Sequence, residues 1–202
     1  MRKGMGCLIA VIVAVVILGM YMVGVYNGLV GSEQAVEAQW AQVQNVYQRR
    51  ADLIPNLVAS VKGAANFEQT TLTQVIEARS RVGQLTPQAT NEILNDPQKF
   101  AQFQQAQDSL SSALSRLMVV VERYPELKAV QGFRDLMVQL EGTENRISTE
   151  RRTFNQVAQD YNTRVRRFPA ALFARIMGFQ PKPYFQAAPG AETAPRVDFG
   201  TR

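Results

Sequence analysis

The apolar residues at the start of the chain form one continuous run. Residues 7–26 comprise 20 successive apolar residues, and no charged side chain occurs between Gly4 and Ser32. A helix of about 20 apolar residues is long enough to cross the hydrocarbon core of a bilayer. A cleaved signal peptide is the alternative, but its apolar region is usually shorter, about 7–15 residues, and precedes a small-residue cleavage site that the residues around Tyr26 do not offer. The run therefore predicts an uncleaved transmembrane anchor at residues 7–26.

Beyond this run, apolar residues recur at alternating spacings of three and four, which is the period of helices that bury one face. No stretch of alternating apolar and polar residues is long enough to indicate a β-sheet. The pattern predicts an all-α fold, in which one N-terminal transmembrane helix is followed by an elongated antiparallel bundle of long helices. The predicted bundle helices cover residues 36–61, 67–85, 100–124 and 133–168, with a short apolar helix at 170–177.

These elements divide the chain into four segments. Residues 1–6 form a short N-terminus, 7–26 the anchor, 27–180 the helical bundle and 181–202 a Pro-rich tail. No helix-breaking cluster separates the anchor from the first bundle helix, so we expect one continuous rod. The tail has too few apolar residues to order alone and is expected to be extended.

The positive charges that flank the span predict its orientation. Arg2 and Lys3 precede the span, and no Lys or Arg follows it before Arg49. Because positively charged flanks tend to remain in the cytoplasm, we expect a cytoplasmic N-terminus and place the bulk of the chain on the other side of the membrane.

Composition removes most catalytic chemistries. The chain contains no histidine and one cysteine, Cys7. These counts exclude Ser-His-Asp triads, imidazole bases, zinc sites built from His or several Cys, and internal disulfides. The net charge of +5 is not concentrated in a basic patch with aromatic residues, so nucleic acid is not an expected partner. We predict no catalytic, cofactor-binding or metal-binding residues.

Charged side chains occur at positions where the apolar stripes predict a core. Arg50, Glu144 and Arg151 occupy stripe positions, and Arg79 falls on the inward side of the second bundle helix. A lone buried charge is costly, so these side chains must pair or reach solvent. We expect Glu144 to accept hydrogen bonds from one or more of the arginines, in a structural ionic layer that sets helix register. A ligand site and extension of the charges to solvent are the alternatives.

Two further groups of charges are weaker candidates. Arg164, Arg166 and Arg167 lie in the last turn of the longest helix, where cations complement the helix C-terminus. They are also candidate interaction residues for anionic lipid or polymer. Glu122 and Glu126 flank a Tyr-Pro step and could be imagined as the carboxylate pair of a hydrolase. Solvated turn residues are the simpler interpretation of that pair.

Longer motifs resemble a known family. Residues 49–58 read RRADLIPNLV, 61–63 read VKG, 122–129 read ERYPELKA and 140–147 read LEGTENRI. Together with shorter matches over 151–199, these motifs resemble the LemA family of bacterial membrane proteins along nearly the whole chain. The resemblance implies a single-pass anchor and an all-α domain. It implies a bacterial inner-membrane protein, which with the charge bias places the bundle in the periplasm or extracellular space, and it brings no established reaction or cofactor.

The expected function is that of a membrane-anchored, non-enzymatic scaffold or interaction protein of the bacterial cell envelope that self-associates. Tyr184, Phe185, Val197 and Phe199 are the tail residues expected to dock on a neighbouring bundle. Folding of the tail onto its own bundle is the alternative. A second hypothesis is an accessory subunit that binds a partner membrane protein such as a protease or transporter. A carboxylate-dependent hydrolase is a remote third.

Overall fold

A computed structural model describes residues 2–62, 68–85 and 91–187. Within these ranges the chain is helical and contains no strand, so the all-α prediction is confirmed. A 3-10 turn at Asn91–Asn95 leads into the third helix. The α-helices are α1 (Arg2–Lys62), α2 (Gln69–Leu85), α3 (Pro97–Val121), α4 (Pro125–Ala129), α5 (Gln131–Arg166) and α6 (Ala170–Ile176).

The first helix, α1, combines the apolar run and the first bundle helix in one rod of 61 residues. At 1.5 Å per residue this rod is about 90 Å long. Side chains over residues 8–21 are exposed, whereas one side of the helix is buried from Leu29 onward. Among the described residues, α1 is the one helix whose length and composition allow it to cross a membrane.

The bundle is built around the pairing of α1 with α5, while α2 packs on α3. The two long helices are antiparallel, because Gln39 of α1 hydrogen-bonds to Glu150 of α5 and Arg50 to Glu144. The half of the core nearer the apolar run is aromatic and centres on Trp40. The far half is aliphatic and includes Ile54, Leu57, Leu110, Leu114, Leu117 and Leu140. The predicted apolar stripes supply both halves.

Local signals set the helix ends. The Asp96 carboxylate accepts hydrogen bonds from the backbone N–H groups of Gln98 and Lys99, which caps the start of α3. At its other end α3 stops at Val121, one turn before the position predicted by its apolar stripe. The physical reason is Pro125, since a residue preceding proline is disfavoured in the helical conformation. Tyr124 accordingly leaves the helix with φ −121° and ψ 78°.

Past α6 the chain turns back along the bundle. Gly178 has a positive φ of 83°, a conformation that glycine adopts without steric cost. The backbone N–H of Phe179 then donates to the carbonyl of Ala174, which closes the end of α6. Residues 181–187 follow without regular secondary structure. This turn brings the first part of the predicted tail into contact with α3 and α5.

Candidate functional site

The first of three polar clusters in the bundle surrounds Arg50, whose side chain is completely buried. One terminal nitrogen of Arg50 donates to Glu144 Oε1 at 2.8 Å and to Ser111 Oγ at 2.6 Å. The other terminal nitrogen donates to the side-chain oxygen of Gln107. Ser111 in turn donates to Glu144 Oε2 at 3.1 Å. The guanidinium therefore joins α1 to both α3 and α5.

The second cluster lies two turns along α5 and centres on Arg151. The Arg151 Nε–H donates to the Tyr47 hydroxyl at 2.6 Å, and its Nη2 forms an ion pair with Asp108 Oδ1 at 2.7 Å. Its guanidinium carbon lies 4.9 Å from the centroid of the Phe185 ring, within cation–π distance. Burial raises the pKa of Tyr47 although the nearby arginine charges oppose that shift. Tyr47 is therefore a neutral hydrogen-bond acceptor at physiological pH.

The third cluster holds the end of the described chain against the bundle. Lys182 is buried, and its ammonium donates to Glu33 Oε1 at 2.7 Å and to Asn95 Oδ1 at 2.6 Å. The ammonium also lies 5.6 Å from the centroid of the Tyr161 ring. Because Glu33 belongs to α1, Asn95 to the 3-10 turn and Tyr161 to α5, one lysine connects three elements to the segment at 181–187.

Side-chain carboxamides hold the same segment through its backbone. Each carboxamide accepts from a backbone N–H and donates to the C=O of the same residue, as a neighbouring β-strand would. An extended segment without a sheet partner needs such bonds, since buried unpaired backbone groups are costly. The pairs are Asn162 with Lys182 at 2.7 and 2.8 Å, Asn155 with Phe185 at 2.9 Å for both bonds, and Gln104 with Gln186 at 3.1 and 2.9 Å.

The structure brings together only part of the predicted ionic layer. Arg50 and Glu144 form an ion pair, as expected for one arginine of the layer. Arg151 pairs with Asp108 instead, because the guanidinium lies two turns away from Glu144 along α5. Arg79 lies outside the layer. Its side chain is exposed and its Nε–H donates to the carbonyl of Ala51 at 3.3 Å, since Ala78 takes the buried position on α2.

The predicted interaction residues of the tail are placed differently from the expectation. Phe185 is buried in the aromatic core of its own chain, with its ring 4.9 Å from that of Phe100 and 5.4 Å from that of Phe154. This corrects the expectation that Phe185 docks on a neighbouring bundle. Tyr184, beside it, is exposed. Val197 and Phe199 lie outside the described residues. Arg164, Arg166 and Arg167 are exposed at the end of α5.

Sequence reasoning missed most partners of the buried charges. Gln107 occupies an apolar-stripe position on α3 and carried a signal, because a buried carboxamide requires a partner. A second signal was an aromatic residue followed by asparagine, at Phe154-Asn155 and again seven residues later at Tyr161-Asn162. Lys182 between two prolines was not recognisable as a core residue from local sequence. Asp108 and Tyr47 likewise gave no indication of their contact with Arg151.

The polar side chains of these clusters connect the helices to one another and to the segment at 181–187. Within the described ranges, no group of three or more Cys, Asp or Glu side chains is placed to hold a metal ion. Glu122 and Glu126 are at the surface, where Glu122 forms an ion pair with Lys128 and Glu126 is exposed, in line with the interpretation as solvated turn residues. An open groove of about 890 Å³ lies between α3 and the segment at 181–187.

The helical bundle matches a known protein family in sequence. The model of the LemA family matches residues 39–199, a region that contains the Arg50 and Arg151 clusters and Lys182. The chain belongs to the LemA family. The match begins after the apolar run, so it rests on the bundle and not on the anchor.

Several known proteins are similar to this chain in sequence. Magnetosome protein MamQ 2 and Magnetosome protein MamQ 1 of Paramagnetospirillum magneticum are each 29% identical over 182 residues, covering 83% of this chain and 67% of the relative. Protein LemA of Metamycoplasma hominis is 23% identical over 166 residues, covering 82% of this chain and 71% of the relative. These relationships and the apolar N-terminal part of α1 fit a single-pass membrane protein.

The Arg50 cluster predicts a large effect of Glu144→Ala on stability. The substitution leaves a fully buried guanidinium without its carboxylate, and breaking a buried pair costs about 3–5 kcal/mol. Retained bonds to Ser111 and Gln107 favour the lower end of that range. For a chain of this size we expect the melting temperature of the full-length protein in mild detergent to fall by roughly 6–12 °C. Glu141→Ala, at an exposed position on the same helix, is the control, and equal small shifts for both variants would contradict the cluster's role.

The carboxamide pairs predict that two asparagines protect the segment at 181–187 from proteolysis. In Asn155→Ala combined with Asn162→Ala, four hydrogen bonds to the segment are lost, each worth about 0.5–1.5 kcal/mol. Chymotrypsin should then cut after Phe185 much faster than in the unmodified protein, as measured by mass spectrometry. Asn145→Ala, at an exposed position on α5, should leave the rate unchanged. An unchanged rate in the double variant would show that other contacts hold the segment.

Proposed function

We propose that this protein is a membrane-anchored, non-enzymatic scaffold or interaction protein of the bacterial cell envelope, and that it self-associates. The observation that carries the proposal is the pairing of charged side chains inside the bundle. Arg50, Arg151 and Lys182 are engaged with carboxylates of neighbouring elements, and these ion pairs join α1 to α5, α5 to α3 and the segment at 181–187 to α1. These charged side chains, which could otherwise act in catalysis, stabilise the packing of the bundle.

The continuity of α1 supports a scaffold. A helix that passes from the apolar run into the bundle core without a break transmits the orientation of the anchor to the folded domain. From Leu29 to Val61 one side of α1 is buried in the two halves of the core, so packing supports the helix along the length of the bundle. A helix supported in this way and attached to the membrane at one end presents the surfaces of the bundle at a defined distance from the membrane.

The relatives support the non-enzymatic part of the proposal. The names of the two groups of relatives, Magnetosome protein MamQ and Protein LemA, mention no reaction. A hydrolase is disfavoured by the setting of the two carboxylates, since Glu122 is at the surface in an ion pair with Lys128 and Glu126 is exposed, so neither is enclosed in a site that excludes water.

Exposed apolar side chains at the far end of the bundle are candidates for the contact between copies. Val119 of α3 and Val138 of α5 are both largely exposed, next to the aliphatic core. Removal of such side chains from water favours association. Because Phe185 is held in its own chain, we place the contact between copies on this end rather than on the tail.

Self-association is tested by light scattering on the full-length protein in mild detergent at micromolar concentration. We expect the protein mass to correspond to more than one chain, and Val119→Lys combined with Val138→Lys to reduce it toward that of one chain. Gln105→Lys combined with Gln156→Lys adds the same charge at other exposed positions and should not change the mass. An unmodified protein that is monomeric contradicts self-association. A stoichiometric co-purifying membrane protein would instead favour an accessory subunit.

The proposed topology places the N-terminus in the cytoplasm and the bundle beyond the inner membrane, on the basis of Arg2 and Lys3. A membrane-impermeant thiol reagent tests it in Cys7→Ser with a cysteine introduced at the exposed Gln105. We expect labelling in intact spheroplasts. Labelling that requires membrane disruption would show the reverse orientation.

A further inference from the structure

The corner between α5 and α6 carries an exposed apolar surface. Phe168, Leu172 and Ile176 are 78%, 60% and 82% exposed. Leu172 and Ile176, spaced by four, lie on one face of α6, and Phe168 lies in the turn that precedes this helix. We call these three side chains the α6 ridge. Neighbouring large apolar side chains in contact with water are unfavourable, so such a ridge indicates a surface that meets an apolar partner.

The ridge adjoins the apolar part of α1 and not the middle of the bundle. Phe168 and Pro169 line the same hollow as Tyr21 and Val25 of α1. Just beyond, the rings of Tyr26 and Phe179 meet edge to face with centroids 5.9 Å apart. Five residues separate Tyr21 from the end of the apolar run, a distance of about 7–8 Å along the helix. The base of the ridge is therefore level with the last turns of the run.

The position of the α6 ridge beside α1 sets the depth of the ridge in the bilayer. If residues 7–26 cross the hydrocarbon core, Tyr21 and Tyr26 lie at the depth where tyrosine is enriched, the boundary between acyl chains and headgroups. The ridge reaches the same boundary, beside the anchor. An amphipathic segment at this boundary buries its apolar face by about 5–10 Å.

Arginines line the same hollow. Arg164 and Arg167 border it together with Phe168, and no carboxylate among the described residues lies within ion-pair distance of either guanidinium. Glu33, on the adjoining part of α1, is engaged by Lys182. Arg175 adds a further exposed positive charge on α6. A guanidinium at the edge of a bilayer pairs well with lipid phosphate, through charge-assisted hydrogen bonds that can be bidentate.

We propose that the α6 ridge, with Arg164 and Arg167, is a second membrane contact that binds anionic lipid headgroups in the leaflet next to the bundle. The lipid bilayer is the occupant because the ridge is continuous with the apolar surface of the anchor and is flanked by arginines that no carboxylate of the described residues engages. The inference rests on the anchor of the proposed function and does not depend on self-association. Attachment at two points restricts rotation of the bundle about α1.

The test measures the depth of a spin label on the ridge in the full-length protein. Cys7→Ser removes the native cysteine, and Ile176→Cys carries the label. The protein is reconstituted in nanodiscs of phosphatidylcholine alone or with about one third phosphatidylglycerol. Accessibility of the label to oxygen, which partitions into lipid, is compared with accessibility to a water-soluble nickel complex. Gln105→Cys, at an exposed position on α3, is the aqueous control, and Ile17→Cys reports insertion of the anchor.

We expect the label at position 176 to lie about 5–10 Å into the boundary region when phosphatidylglycerol is present. Arg164→Gln combined with Arg167→Gln should move it several ångströms toward water. Arg146→Gln combined with Arg152→Gln changes the net charge equally at exposed positions farther along α5 and should leave the depth unchanged.

Each other outcome overturns a defined part of the inference. Equal exposure to water at positions 176 and 105 shows that the ridge does not contact the bilayer. A label depth at position 176 that changes neither with lipid charge nor with the arginine substitutions excludes recognition of anionic headgroups. Protection from oxygen and nickel alike shows that protein covers the ridge, as a second copy would. If the label at position 17 is itself exposed to water, the anchor assignment fails instead.

Discussion

The burial of Arg50 is the constraint on which the arrangement of the helices depends. A guanidinium with no exposed surface loses its hydration, and only well-placed acceptors offset that loss. The acceptors come from different helices, Gln107 and Ser111 from α3 and Glu144 from α5. Apolar stripes by themselves allow helices to shift along one another by a repeat at modest cost. A shift here would separate the buried charge from its partners, so the cluster selects one register.

This register has consequences along the whole rod. With Arg50 opposite Glu144, the antiparallel pairing brings Tyr47 to Arg151 and Trp40 to Phe154, whose ring centroids lie 5.7 Å apart. The Trp40 ring also meets Phe100 and Phe103 of α3. The aromatic half of the core is thus aligned by an electrostatic contact next to it. Farther along α1, the same alignment leaves Glu33 able to reach Lys182.

The segment at 181–187 completes the core in place of another helix. Phe185 fills the aromatic cluster, while carboxamides on α3 and α5 replace the hydrogen bonds that a neighbouring strand would supply. This explains why polar side chains occur on faces that pack inward. The return of the segment also holds α6 and Phe179 against α1, beside Tyr26. The position of the α6 ridge next to the apolar run is therefore a result of core packing.

The sequence by itself determined which face of α1, α3 and α5 is buried, the length of the apolar run and the all-α class, because periodicity and apolar run length are local properties. It also showed that Arg50 and Glu144, at stripe positions, had to pair or reach solvent. Only the tertiary structure decided that Arg151 pairs with Asp108, that Arg79 stays outside, and that Phe185 returns to its own bundle. Such pairings depend on the axial offset and rotation between helices far apart in the chain. No local pattern encodes those quantities, since they are set by how all the side chains of the core fit together.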